Sequence, residues 1–169
     1  MKNVVSGFSR TVAVLLALSI ALAPRAALAE NFKSFKLKTL EGDERSLQQV
    51  LGSKATLVAF FFPTCQYCNA AFPLVQKIYD ANKDRGLAMV WINVLPDEQR
   101  LIADWRASHG YTATILLGSR SVAEDYDLRM TPTHVLLDAK GKVLWKHAGY
   151  KPGDEKDIER QVQQALSKG

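Results

Sequence analysis

The chain has 169 residues, 47% apolar, 23% charged and 9% aromatic, a composition that excludes disordered and collagen-like chains and predicts one compact domain. Its formal charge of +5 comes from 22 basic and 17 acidic side chains, yet Lys2, Arg10 and Arg25 fall in residues 1–29, which hold no acid. The remainder is nearly balanced, so no nucleic-acid partner is expected.

Lys2 and Arg10 precede a run of small and apolar residues from Val12 to Ala23, followed by Pro24, Arg25 and the triplet Ala27-Leu28-Ala29. These are the parts of a secretory signal peptide, with cleavage expected after Ala29. The apolar run is about twelve residues, short of the roughly 20 that a membrane-spanning helix needs; an uncleaved anchor is the alternative. The domain then runs over residues 30–169, long enough to fold without a disulfide. It would sit in an oxidising compartment, where two cysteines call for a chemical explanation.

Phe35, Leu37 and Thr39 alternate with Lys36 and Lys38 as in a half-buried strand, and Glu41-Gly42-Asp43 reads as its turn. Ser46 caps a short helix that ends at Gly52. Ala55 to Phe62 is a continuous β-branched and aromatic run, the pattern of a central strand buried on both faces. From Cys65 to about Lys83 the apolar positions Phe72, Val75, Ile78 and Tyr79 take helical spacing, with Pro73 as an interior kink. Leu87 to Leu95 is a second buried strand. A helix starting at Pro96 and Asp97 and stopping at Gly110 carries Leu101, Ile102 and Trp105, and Thr112 to Leu117 is a short strand.

Ser121 to Tyr126 is a short helix. Thr133 to Leu137 and Val143 to Trp145 form a hairpin through Asp138-Ala139-Lys140-Gly141, and Asp154 opens a last helix with Ile158, Val162 and Leu166 on one face. The order predicts an α/β fold: a central mixed sheet with helices on both faces. Trp91, Trp105 and Trp145 are assigned to packing, and His109 and His147 to structural positions.

Cys65-Gln66-Tyr67-Cys68 lies where the central strand passes into a helix. Cys65 therefore meets the unpaired N–H groups and positive end of the helix, which favour its thiolate, while Cys68 lies one turn inside. The asymmetry assigns roles: Cys65 attacks a partner's disulfide, and Cys68 resolves the mixed disulfide. Thr64, Gln66 and Tyr67 flank the pair without positive charge, so no extreme stabilisation of the thiolate is expected. An inert structural disulfide would close too small a loop to constrain the unfolded chain much.

Met130-Thr131-Pro132-Thr133-His134 enters a strand with proline at its start. Together with the LVAFFF strand, the cysteine pair, Phe72-Pro73 and the stretch from Leu136 to Tyr150, it resembles the thioredoxin superfamily, more closely the periplasmic TlpA and ResA group of thiol-disulfide oxidoreductases. The resemblance implies a three-layer α/β/α domain with an amino-terminal extension and an inserted helix and strand. It also implies a cis peptide bond at Pro132, pairing of the Thr131 backbone with an extended substrate segment, and no organic cofactor. Its further implications are a monomer acting on protein thiols or disulfides in the periplasm, reducing apocytochrome c or similar partners with electrons from a membrane thiol-disulfide reductase.

Three positions depart from the pattern. Thr64 replaces the tryptophan before the first cysteine, Ala59 stands where thioredoxins place a buried aspartate, and Ala71 where ResA-like proteins place a glutamate. Both known acceptors for the Cys68 proton are thus missing. His134, two residues beyond Pro132, also gives the chain a resemblance to Sco-type copper proteins, for which Cys65, Cys68 and His134 would be the copper-binding set. Peroxidase chemistry fits less well, because Pro63 and Thr64 adjoin Cys65 directly.

Overall fold

Strand β3 (Ala55–Phe61) is the axis of the molecule, and all seven of its residues are buried. The computed structural model describes residues 30–96 and 99–168; the leader assigned to residues 1–29, and Asp97, lie outside the described residues. Before β3 come β1 (Lys36–Thr39), β2 (Glu44–Ser46) and α1 (Leu47–Val50); after it, α2 (Gln66–Asn82), β4 (Leu87–Asn93), α3 (Gln99–His109) and β5 (Thr114–Leu117). The chain closes with α4 (Arg120–Asp125), β6 (Thr133–Asp138), β7 (Val143–Ala148) and α5 (Asp154–Lys168).

The seven strands form one mixed sheet in the order β2-β1-β5-β4-β3-β6-β7. Strands β3, β4 and β5 are parallel, while β6 runs antiparallel to β3 and β7 antiparallel to β6. Because side chains alternate across a strand, β3 feeds two cores. Leu57, Ala59 and Phe61 meet Phe72 and Val75 of α2, Ile102 and Trp105 of α3, and Ile158 and Val162 of α5. Val58 and Phe60 meet Leu47 and Val50 of α1 and Val122 of α4. The result is the three-layer α/β/α architecture of the thioredoxin-like fold, with α3 and β5 standing between β4 and α4.

Several boundaries differ from the sequence expectation for local physical reasons. β2 is wholly polar and carries no alternation signal; it forms because Gly42, at φ +95, lets the chain double back against β1. β5 starts at Thr114 instead of Thr112, because Thr112 is held by Gln76 of α2: its N–H donates to Oε1 at 3.1 Å and its Oγ1 accepts from Nε2 at 2.7 Å. The helix expected from Pro96 begins, among the described residues, at Gln99. β7 extends to Ala148, its residues alternating between half-buried and exposed as a sheet edge requires. Pro73 lies within α2 without ending it.

Phe72 organises the larger core, stacking on Trp91 at 4.2 Å between ring centroids and lying edge-on to Trp105 at 6.0 Å. Its removal leaves a cavity between helix and sheet. Phe72→Ala is expected to lower unfolding free energy by about 3–5 kcal/mol, read from urea denaturation followed by tryptophan fluorescence.

Candidate functional site

The site forms where β3 ends. Cys65 takes extended backbone angles as the N-cap of α2, and its Sγ accepts the Cys68 N–H at 3.1 Å. Cys68 lies one turn inside the helix, and the two sulfurs are joined in a disulfide with Cα atoms 5.2 Å apart. Access is unequal: Cys65 is 4% exposed and Cys68 is fully buried. Thr64, Gln66 and Tyr67 are exposed around the pair. Tyr67, at 61%, is the most exposed of the large apolar side chains.

The Thr131-Pro132 peptide bond is cis, and the Thr131 hydroxyl donates to Cys65 Sγ at 3.4 Å. Two donors, one from the helix backbone and one from the Thr131 side chain, therefore meet at the Cys65 sulfur. Hydrogen bonds to a developing thiolate favour the ionised form. The Pro132 loop is tied to β7 by the Gly149 N–H, which donates to the Pro132 carbonyl at 2.7 Å. Gly149 adopts φ +85, the left-handed backbone that favours glycine.

Beside the cysteines lies a groove of about 650 Å³, lined by Tyr67, Met130, Thr131, His147, Tyr150 and Asp154 among others. His147 Nε2 bonds Asp154 Oδ2 at 3.0 Å, and its ring lies parallel to Trp145 at 5.6 Å. The sequence marked His147 as structural; the structure places it on the groove wall. Asn69 was not singled out at all. It donates from Nδ2 to the Pro63 carbonyl at 3.0 Å and accepts from Trp105 Nε1 at 2.8 Å, bracing the turn before Cys65 against α2 and α3. No motif marks such a residue, since its partners are a backbone carbonyl and a side chain 36 positions away.

His134 is fully buried, opposite Ala59 on one side and His147 on the other in the sheet register. Its ring stands edge-on to Phe72 at 6.1 Å, and neither ring nitrogen has a hydrogen-bond partner. Ala59 and Ala71 are also fully buried, filling their positions with a methyl group only. Among the described residues no group of three His, Cys, Asp or Glu side chains gathers where it could hold a metal ion. The copper-binding set of Cys65, Cys68 and His134 is therefore not assembled. His109 Nδ1 bonds the Trp105 carbonyl at 2.8 Å and its ring stacks on Tyr111 at 5.1 Å, a structural position.

Burial is the largest influence on His134 and holds its pKa down to about 3, with the neighbouring His147 acting in the same direction and Asp154 opposing both. The unfolded chain takes up this proton near pH 6.5 and the folded protein does not. Stability is then full above pH 6.5, falls as pH drops toward 3, and levels off below. The maximum slope for one group is about 1.4 kcal/mol per pH unit. Urea titrations at pH 7, 5.5 and 4.5 should show this decline, and His134→Leu should flatten it.

The Redoxin family matches residues 27–162. The thioredoxin-like protein YneN of Bacillus subtilis is 31% identical over 117 residues, covering 68% of each chain. The thiol-disulfide oxidoreductase ResA of Halalkalibacterium halodurans is 26% identical over 128 residues, covering 73% of this chain and 70% of its own. Among solved structures, a thiol:disulfide interchange protein of the thioredoxin family from Chlorobium tepidum superposes with a TM-score of 0.70 at 22% identity, over 83% of this chain and 98% of the other.

Proposed function

The chain belongs to the Redoxin family, within the thioredoxin superfamily, as a ResA-like thiol-disulfide oxidoreductase, and from that premise we propose that it is a periplasmic reductase of protein disulfides working through Cys65 and Cys68. The observation that carries the reading is the unequal treatment of the two sulfurs. Cys65 Sγ receives two hydrogen bonds at a helix N-terminus and has an edge toward solvent, whereas Cys68 is sealed behind it.

In the reduced protein the Cys65 thiolate attacks one sulfur of the partner's disulfide, and the other partner sulfur leaves as a thiolate. Cys68 then loses its proton and attacks Cys65 Sγ. The second partner sulfur leaves, and two electrons have passed from the pair to the substrate. The exposed edge of Thr131, beside the groove and against Cys65, suits an extended partner segment held by main-chain hydrogen bonds. Gln66 and Tyr67 line the approach, Thr64 borders it, and Pro132 supports Thr131. The electron pair comes from the dithiol, so no organic cofactor is required.

The reductive direction is supported by the absence of a cation among Thr64, Gln66 and Tyr67, which would otherwise overstabilise the thiolate form. The apolar stretch before Ala29 supports export across the membrane. The resemblance to the TlpA and ResA group is the ground for a membrane thiol-disulfide reductase as electron donor and a disulfide of apocytochrome c as substrate; one relative, at 26% identity, is the thiol-disulfide oxidoreductase ResA.

Cys65→Ser should abolish reduction of insulin disulfides, and Cys68→Ser should accumulate the mixed disulfide, visible on non-reducing gels. Equilibration with glutathione should place the pair near thioredoxin's potential, about −270 mV; a value near about −120 mV, as in strong oxidants, overturns the reductase assignment.

A further inference from the structure

Resolution requires Cys68 to lose a proton inside the protein, and neither Ala59 nor Ala71 can take it. Among the described residues the buried side chains that titrate are Cys65, Cys68, Tyr111 and His134. Burial pushes Tyr111 up to about 12, which removes it as a base near neutrality. His134 remains.

Its placement is unusual for packing alone. An imidazole with both nitrogens buried and unbonded loses its hydration without compensation, a cost that an apolar side chain of similar volume avoids. The ring lies on the sheet face covered by α2 and α5, in register beside Ala59, whose side chain is only a methyl group. Phe72, whose ring centroid is 6.1 Å from that of His134, follows Cys68 by one helical turn on the same face of α2. Cys68 and Phe72 share one face of α2 in the same buried cluster, and the His134 ring meets that cluster through Phe72. On its other side His134 pairs in register with His147, which is half-buried, bonds Asp154 and opens onto the groove.

We propose that His134 is the proton acceptor for Cys68, taking the place that a carboxylate on the central strand or on α2 would otherwise fill. The inference rests on the thiol-exchange reading above and deepens it. In the mixed disulfide the Cys68 thiol gives its proton to a bare ring nitrogen of His134, directly or through one water. The thiolate attacks Cys65 Sγ, the Cys65–partner S–S bond breaks with its electron pair on the partner sulfur, and the Cys65–Cys68 bond forms. The imidazolium then releases its proton from the side facing His147 and Asp154, and the departing partner thiolate or solvent receives it.

Two electrostatic facts accord with the step. While the disulfide is closed His134 is neutral, so one nitrogen is free to accept, and the weak basicity that burial imposes must be offset by the charge on Cys68. When Cys68 ionises, its negative charge in a poorly solvated site supports the imidazolium that burial alone disfavours. The other groups facing the ring are His147 from β7, which opposes a positive charge, and Asp154 from α5, which favours one.

The reaction of the reduced protein with Ellman's reagent separates the two steps, since attack by Cys65 and resolution by Cys68 each release one thionitrobenzoate. His134→Leu is expected to keep the first phase within about twofold and to slow the second about 10- to 100-fold at pH 7. Its second-phase rate should then climb about tenfold per pH unit, as for a thiol ionised only by hydroxide. A second phase with wild-type rate and pH profile overturns the proposal, whereas a lost first phase in the wild-type protein would strike the thiol-exchange reading itself. Should His134→Leu not fold, the Cys65→Ser protein with nitrogen-15-labelled histidine gives an independent answer. His134 ring shifts that follow the Cys68 titration support the proposal, and shifts that ignore it overturn it.

Discussion

Antiparallel pairing of β6 with β3 is the constraint from which the chemistry follows. Registering Phe60 against Thr133 and Ala59 against His134 carries a segment 66 residues away in sequence back to the end of the central strand, where the Thr131 hydroxyl meets Cys65 Sγ. A slip of one residue would turn every β6 side chain to the opposite face, sending His134 to the α1 and α4 side and Val135 into the larger core. The Gly149 N–H on the Pro132 carbonyl and the Asn69 amide on the Pro63 carbonyl fasten the two halves of this junction from opposite sides.

That junction makes two chemically similar side chains behave differently. Cys65 occupies an N-cap, where helix N–H groups have no internal partners, and it retains a small opening to solvent. Cys68, one turn on, faces Phe72 and the sheet and has none. Only one of the two sulfurs therefore has an opening to solvent. On the proposed reading, the order of reaction follows from that difference in burial.

The two faces of the sheet divide the work. The α1 and α4 side is an aliphatic and aromatic core, with Phe32 stacked on Tyr126 at 4.7 Å. The α2, α3 and α5 side contains unbonded polar atoms of Trp91, Tyr111 and His134 around the Phe72 cluster. Polar groups without partners are costly, and here three of them surround the Phe72 ring.

Much of this was legible along the chain because it is written in short-range signals. The run from Ala55 to Phe62 marked the central strand, its handover to Cys65 marked a cysteine at a helix start, and Asp138 to Gly141 marked the hairpin. The β2 strand was not legible, since Glu44-Arg45-Ser46 has no apolar alternation and pairs only because Gly42 turns it onto β1. Nor were Asn69 and His147 legible as parts of the site, because their roles depend on Pro63, Trp105 and Asp154 being brought beside them. The sequence by itself determined most of the elements, the cysteine pair and its placement at a helix start, for these depend on neighbours within a few residues. Tertiary structure alone decided that His134, Ala59 and Phe72 stand together below Cys68, because strand register and helix docking are long-range contacts that no local pattern encodes.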